Sequence, residues 1–117
     1  MANKYRCSNG SMVTQATIDA NLSKAYKKHY LFEPLGSCEG CGINPGQGSA
    51  HIISKARCKR LGLTDLIWNP VNFFRSCHRC NMIAENIDSE EITKLLNYER
   101  IKQTIIKYDR ERATKLR

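Results

Sequence analysis

Two Cys-x-x-Cys pairs constrain this chain more than any other feature of its sequence. Four of the six cysteines form them, Cys38 with Cys41 and Cys77 with Cys80, and 35 residues separate the pairs. Each pair can form a knuckle, a tight turn that presents two thiolates, and two knuckles supply the four ligands of a closed tetrahedral Zn²⁺ site. The spacing therefore predicts one structural zinc site, with the function carried by the segment between the knuckles.

Disulfide bonding is the alternative use of six cysteines, and it requires an oxidising compartment. The N-terminal sequence MANKYRCSNGS lacks the apolar core and the cleavage site of a secretory signal. No stretch of the sequence approaches the ~18 apolar residues that a membrane helix needs. These features predict a cytoplasmic protein and favour metal over disulfides. The remaining cysteines, Cys7 and Cys58, have no partner at a useful spacing and are expected to be free thiols.

Length and charge narrow the class of protein further. The 117 residues fit a single domain, whose core is thermodynamically thin without a covalent or metal staple. Lys and Arg number 19 against 11 acidic residues, which gives a net charge of +8. Such an excess is typical of proteins that meet a polyanion, so we expect nucleic acid to be the partner.

Hydrophobic spacing and turn residues divide the domain into three parts. Residues 1–36 are predicted to form an N-terminal helical extension, with a helix over 14–31 where apolar side chains recur at helical intervals. Residues 37–88 are predicted to form the zinc-stapled core. Within it we expect a short strand at 51–54, paired with one at the first knuckle, and a helix over about 80–87.

The third part, residues 89–117, is predicted to be a single long basic helix. Asp88 and Glu91 have the spacing of a capping box at its start. Apolar side chains then recur at intervals of three and four, and this stripe serves either core packing or dimerisation. The stripe consists of Ile92, Leu95, Tyr98, Ile101, Ile105 and Tyr108.

Basic residues that can contact phosphates occur in three segments. They are Lys55, Arg57, Lys59 and Arg60 between the knuckles, Arg75 and Arg79 around the second knuckle, and Lys107 and Arg110 in the final helix. A charge run is otherwise a solvated face. DNA contact and a merely solvated surface are therefore the two interpretations of these residues.

A histidine and two asparagines are interleaved with the knuckles. His51 follows the first pair, Asn72 precedes the second pair, and Asn81 comes directly after Cys80. Over residues 38–87 this arrangement resembles the HNH (ββα-metal) endonucleases. It is especially similar to phage recombination nucleases of the NinG type, in which Cys-x-x-Cys-Asn closes the motif. The resemblance implies an α+β fold with a small ββα-metal core.

The resemblance also implies a role for each residue. His51 is the general base, Asn72 braces the active-site loop, and Asn81 binds a catalytic Mg²⁺ or Mn²⁺. An imidazole with an ordinary pKa near ~6.5 can take a proton from water at neutral pH, and an amide oxygen suits a hard divalent cation. The implied activity is hydrolysis of DNA phosphodiester bonds, by default nicking one strand, in a bacterial or phage-infected cell.

Position 50 departs from the family pattern. The family usually places Asp or His directly before the base as a metal ligand, whereas this chain has Ala50. Glu85 lies one helical turn after Asn81 and is a candidate replacement ligand, the alternative being a surface acid in a helix salt bridge. The missing ligand leaves a second function open, a catalytically inactive zinc-ribbon protein that binds DNA as a repressor or architectural factor. Either protein is expected to be a monomer, or a homodimer through the C-terminal helix.

Overall fold

The structure, a computed structural model, describes residues 3–31, 36–46 and 48–116. These residues form two two-stranded antiparallel sheets and five α-helices. The prediction of an α+β fold is confirmed at this level. In the same ranges, no helix combines the length and the apolar character needed to cross a lipid bilayer.

The chain begins with a β-hairpin rather than with the predicted helical extension. Strand β1, Lys4–Arg6, pairs with strand β2, Met12–Thr14. Gly10 closes the turn with φ +87°, a left-handed conformation that glycine adopts without strain. The prediction missed this hairpin because strands of three residues are too short to show a two-residue period.

Helix α1, Gln15–Tyr26, follows β2 directly and continues as a π-helical turn at Lys27–Leu31. The helical prediction for 14–31 is therefore confirmed in extent. Thr14 caps the helix, because its hydroxyl accepts a hydrogen bond from the backbone N–H of Thr17. The buried side chains of α1 attach it to the core.

The central sheet joins strand β3, Gly48–His51, to strand β4, Phe73–Ser76, with His51 opposite Phe73. The predicted strand at 51–54 with a partner at the first knuckle is wrong. Residues 52 and 53 are both buried in the core, so the apolar pair marks a bend into the interior and not a half-buried strand.

Helix α2, Lys55–Arg60, and two short 3-10 segments occupy the excursion between these strands. Ser54 caps α2 by accepting a hydrogen bond from the backbone N–H of Arg57. The excursion returns the chain to the start of β4, where the N–H of Ile52 bonds the backbone oxygen of Asn72 at 2.8 Å. It therefore places a compact loop beside His51.

Helix α3, His78–Ala84, begins directly after β4 and packs against β3. The predicted helix over 80–87 is correct in kind, but it starts earlier because the Cys77 sulfur caps it by accepting a hydrogen bond from the N–H of Cys80. Residues 48–84 thus contain a strand, a second strand and a helix packed on the first strand.

The C-terminal part is not the single long helix that was predicted. Ser89 caps a 3-10 segment, Glu90–Lys94, and the α-helices that follow are α4, Tyr98–Tyr108, and α5, Arg110–Ala113. The interruption has a specific cause. Leu95 is extended, which directs the N–H of the next residue to the backbone oxygen of Gly40 in the first knuckle at 2.7 Å.

The apolar stripe of this part is buried within the chain. Core packing, one of its two interpretations, is therefore the one observed. Its members Ile92, Ile101 and Ile105 have no exposed surface, and Leu95 is also buried. These four side chains are not available for the predicted dimer contact.

Arg57 has a structural role, and its predicted contact with DNA stays a prediction. Its Nε and Nη2 atoms donate to the two carboxylate oxygens of Asp109 at 3.0 and 2.9 Å, and Nη2 also contacts Glu111. Asp109 is buried and lies between α4 and α5. The pair therefore ties the C-terminal helices to α2.

We expect Asp109→Ala to lower the free energy of unfolding by about 3 kcal/mol, because it leaves the Arg57 guanidinium without its buried partner. Glu111→Ala is the matched control and should cost less than about 1 kcal/mol, since Glu111 is exposed.

Burial opposes ionisation of Asp109, but hydrogen bonds from Arg57 and from the Arg112 backbone hold its pKa below the ordinary value. The stabilisation is thus present above the unfolded pKa and lost as pH falls through the folded one. Urea unfolding at several pH values measures both effects, and equal losses in the two variants would contradict this account.

Candidate functional site

The four cysteines of the two knuckles come together in one cluster. Cys38, Cys41, Cys77 and Cys80 place their sulfur atoms within 4.8 Å of one another. A tetrahedral zinc site with Zn–S bonds of about 2.3 Å needs sulfurs about 3.8 Å apart, so a small contraction suffices. The grouping predicted from the sequence is confirmed, and the cluster is positioned to bind a metal ion. Cys7 and Cys58 are free, as predicted.

Hydrogen bonds to sulfur prepare this cluster for a cation. The backbone N–H of Cys80 and the side chain of Asn44 point at the Cys77 sulfur, and the first of these does most to lower the pKa of Cys77 to about 6. Burial instead raises the pKa of Cys80. A bound divalent cation would favour the thiolate form of its cysteine ligands, which is the expected chemistry of a structural site.

Glycines allow the first knuckle to close on the second. A Cβ added at Gly40 would lie 3.0 Å from the Cys80 Cβ and 3.1 Å from its sulfur. Gly42 has φ +71°, which a residue with a side chain rarely adopts. The Cys-x-Gly-Cys-Gly sequence is thus fitted to a close contact between the two knuckles.

His51 stands at the end of β3, beside the loop formed by residues 52–72. Its Nε2 atom lies 2.8 Å from the backbone oxygen of Ile67. A carbonyl only accepts, so this contact assigns the proton to Nε2 and leaves Nδ1 as the basic nitrogen. Burial lowers the pKa of His51, with a smaller lowering by the Lys55 charge, and these outweigh the opposing effect of the Ile67 carbonyl. The imidazole is therefore neutral at pH 7.

Asn72 is fully buried and braces the loop around His51. Its Oδ1 accepts from the N–H of Ile53 at 2.8 Å, and its Nδ2 donates to the oxygens of Ile53 at 3.0 Å and Leu66 at 3.2 Å. Ile53 lies two residues after His51, and Leu66 directly precedes the residue whose carbonyl holds the imidazole. One side chain thus fixes both segments that orient His51.

Asn72→Asp tests this bracing. The carboxylate keeps the shape of the side chain but cannot donate, so the oxygens of Ile53 and Leu66 lose their partner inside the core. We expect the free energy of unfolding to fall by about 2–4 kcal/mol. Asn69→Asp is a matched control at a partly exposed position that only caps a short turn. Similar denaturation midpoints for the two variants would show that the Asn72 contacts do not stabilise the loop.

The residues predicted to bind the catalytic metal lie on α3. Asn81 is half-buried and Glu85 is exposed at the C-terminal cap of the helix. Neither side chain forms a hydrogen bond or an ion pair with another described residue, so their oxygen atoms are open to a ligand. The salt-bridge interpretation of Glu85 is therefore not observed, and its role as a ligand stays a prediction.

Ala50 occupies the position at which the family resemblance would place Asp or His. It is buried opposite Phe74, on the face of β3 that packs into the core. Within the described ranges, only the four cysteines form a close group of three or more His, Cys, Asp or Glu side chains. A second cation would thus depend on amide, carboxylate and water oxygens.

The predicted DNA contacts separate into exposed and engaged residues. The exposed ones are Lys55, Arg60, Arg79, Lys107 and Arg110. Lys59 donates to Gln15 and lies over the Tyr5 ring. The Arg75 side chain passes close to two glycines: an added Cβ would collide with its guanidinium at Gly36 and with its aliphatic part at Gly46. The exposed cations therefore place positive charge at the surface of α2, α3, α4 and α5.

A pocket of about 470 Å³, which was not predicted, lies on the Phe73 side of the central sheet. His29 and Arg100 line it, and the rings of both His29 and His51 pack edge-on against Phe73. Arg100 is fixed by hydrogen bonds to the backbone oxygens of Pro70 and Phe73. In the sequence Arg100 is only one cation of a charge run, so no local pattern distinguishes it.

Comparisons with family profiles, with curated proteins and with solved structures find no match to this chain.

Proposed function

We propose that the chain is a metal-dependent endonuclease of the HNH type, which hydrolyses DNA phosphodiester bonds and by default nicks one strand. The observation that carries the proposal is the setting of His51. A backbone carbonyl holds one ring nitrogen, a buried asparagine braces the loop on both sides, and the strand belongs to a strand–strand–helix unit. That setting suits a general base better than a histidine that only fills space.

The protein groups supply proton transfer and orientation. Nδ1 of His51 takes the proton from a water that attacks the phosphorus atom. The bond between phosphorus and the leaving 3′ oxygen then breaks. The neutral imidazole required for this step is favoured by burial of the ring. The Ile67 carbonyl and Asn72 keep the ring from turning away, which preserves the alignment of the reacting atoms.

Asn81 and Glu85 are the residues that would hold the catalytic Mg²⁺ or Mn²⁺. Both offer oxygen atoms, they are one helical turn apart, and neither is engaged by another described side chain. Such a cation supplies positive charge for the phosphate and the leaving oxygen. An ion at the four cysteines, which we take to be Zn²⁺, would have a closed thiolate set and would only hold the knuckles together.

DNA is the proposed partner because of the charge of the chain. Its net charge of +8 and the exposed cations on α2, α3, α4 and α5 attract phosphates without reading base sequence. Binding is therefore expected to weaken steeply as salt rises.

Supercoiled plasmid is the direct test of the activity. Zinc-loaded protein with Mg²⁺ or Mn²⁺ should convert it first to the open-circular form. Glu85→Ala should raise the Mg²⁺ concentration needed for half-maximal rate several-fold, whereas Glu90→Ala, an exposed acid outside α3, should not. An unchanged metal requirement in Glu85→Ala would remove that residue from the site.

The second candidate function is DNA binding without cleavage, as in a repressor or an architectural factor. It is favoured by the buried Ala50, which provides no metal-binding atom where the family has one. The plasmid assay separates the two functions. Salt-sensitive binding with no cutting at any Mg²⁺ or Mn²⁺ concentration would favour the binding protein and overturn the endonuclease.

A further inference from the structure

A second pocket, of about 490 Å³, lies between the N-terminal hairpin and the end of α2. We call it the hairpin pocket. Residues Arg6, Cys7, Ser8 and Gly10 form one wall, and residues 59–63 form the other. None of these residues belongs to the knuckles, to the loop brace or to the proposed metal ligands.

The charged side chains that line the hairpin pocket are all cations. Among the residues that the structure describes, the lining contains Arg6, Lys59 and Arg60 and no carboxylate. The acid bound to this wall, Asp65, receives hydrogen bonds from the backbone N–H and the hydroxyl of Ser8. Three cations therefore share one concave surface, where their attraction for an anion adds up.

The two guanidinium groups are open to a ligand. Arg6 and Arg60 are exposed, and neither forms a hydrogen bond or an ion pair with any other residue that the structure describes. The ammonium of Lys59 is held in place by Gln15 Oε1 at 2.7 Å and by the Tyr5 ring at 4.4 Å. The pocket thus combines one fixed cation with two that are free to close on a bound group.

The chemistry of the lining favours phosphate over a nucleobase. In the described part of the chain, no aromatic side chain lines the pocket for base stacking and no side-chain amide lines it to read base edges. Gly62, with φ +72°, lies against the aliphatic part of Arg6, where an added Cβ would be 3.5 Å from Cδ. The stem of Arg6 is therefore supported while its charged end remains at the surface.

We infer that the hairpin pocket binds a phosphodiester group of the DNA backbone and anchors the duplex independently of the cutting site. This inference rests on the proposed function for the identity of the partner. It assigns a role to the N-terminal hairpin, an element that no sequence motif marks.

The test measures DNA binding without cutting, so that it does not depend on nuclease activity. A fluorescently labelled duplex is titrated with zinc-loaded protein, without added Mg²⁺ or Mn²⁺, over a range of salt concentrations. The test variant is Arg6→Gln combined with Arg60→Gln. The control, Lys24→Gln combined with Lys28→Gln, removes the same charge from exposed positions in α1 and its π-helical turn.

The test variant should bind roughly tenfold more weakly near physiological salt, and the magnitude of the slope of log K against log salt should fall by about 1, the change expected for one lost phosphate contact. The control should change the slope by much less. Arg6→Lys, which keeps the charge, should retain most of the affinity if the pocket acts as inferred. Equal slopes in the test and control variants would overturn the inference, as would inorganic phosphate occupying the pocket while duplex affinity is unchanged by the substitutions. Failure of the plasmid assay alone would leave this binding result intact, which distinguishes the two proposals.

Discussion

Cys80→Ser is expected to leave the chain unfolded at temperatures at which the wild-type protein is folded. A structural zinc ion contributes about 10–16 kcal/mol in small domains, and that binding free energy is folding free energy. A domain of this size has only about 5–15 kcal/mol of net stability. Cys80 lies in the first turn of α3 and is buried against Gly40 of the first knuckle. Its loss therefore releases both knuckles at once.

Far-UV circular dichroism with and without added zinc measures this effect, and zinc analysis should give one ion per wild-type chain. Cys7→Ser is the control, since Cys7 is buried but lies outside the cluster. It should fold and bind zinc as the wild type does. A chelator should unfold the wild type, and returning zinc should restore it. A natively folded, zinc-free Cys80→Ser protein would contradict the structural role of the cluster.

His51→Gln is expected to lower the cutting rate by about 10²–10⁴-fold, the usual contribution of a general base. The glutamine amide can still donate to the Ile67 carbonyl, so the loop keeps its contact, but it cannot accept a proton from water. Duplex affinity and thermal stability should therefore stay close to those of the wild type. Loss of folding would show a structural role for His51 instead, and an unchanged rate would remove it from the reaction.

The pH dependence of cutting gives an independent check on His51. The base works only when the imidazole is neutral, and burial lowers its pKa from the ordinary value. The wild-type rate should thus rise with pH through a pKa below ~6.5 and be level at neutral pH. The residual rate of His51→Gln should lack this step. A wild-type rate that still rises above neutral pH would contradict the assignment of His51 as the base.

Short-range chemical patterns in the sequence predicted the cysteine cluster at which the two knuckles meet. The cysteine spacing located the cluster, because four thiolates can meet at one ion only if two turns close on each other. A loop-bracing role for Asn72 was implied only by the family resemblance, and its side chain contacts Ile53 and Leu66 on either side of the loop. Residue type and spacing were sufficient for the cysteine cluster alone, since a thiolate metal site requires four particular donor atoms.

Long-range contacts account for what the sequence did not predict. The long final helix is interrupted because the residue after Leu95 bonds to Gly40, more than fifty positions earlier in the chain. The ion pair of Arg57 was not predicted because its buried partner, Asp109, lies more than fifty positions later in the chain. The partner of β3 lies beyond a whole excursion of the chain. Periodicity reports on neighbouring residues only, so none of these pairings could be read from it.

The location of the second cation tests the proposed metal-dependent active site most directly. Mn²⁺ is titrated into zinc-loaded, isotope-labelled protein, and paramagnetic relaxation is measured by NMR for side chains across the chain. The account predicts the fastest relaxation at the His51 imidazole and the Asn81 amide, with Tyr5 in the N-terminal hairpin as the reference. Fastest relaxation at any other place, or no saturable Mn²⁺ binding, would contradict a metal-dependent active site between His51 and α3.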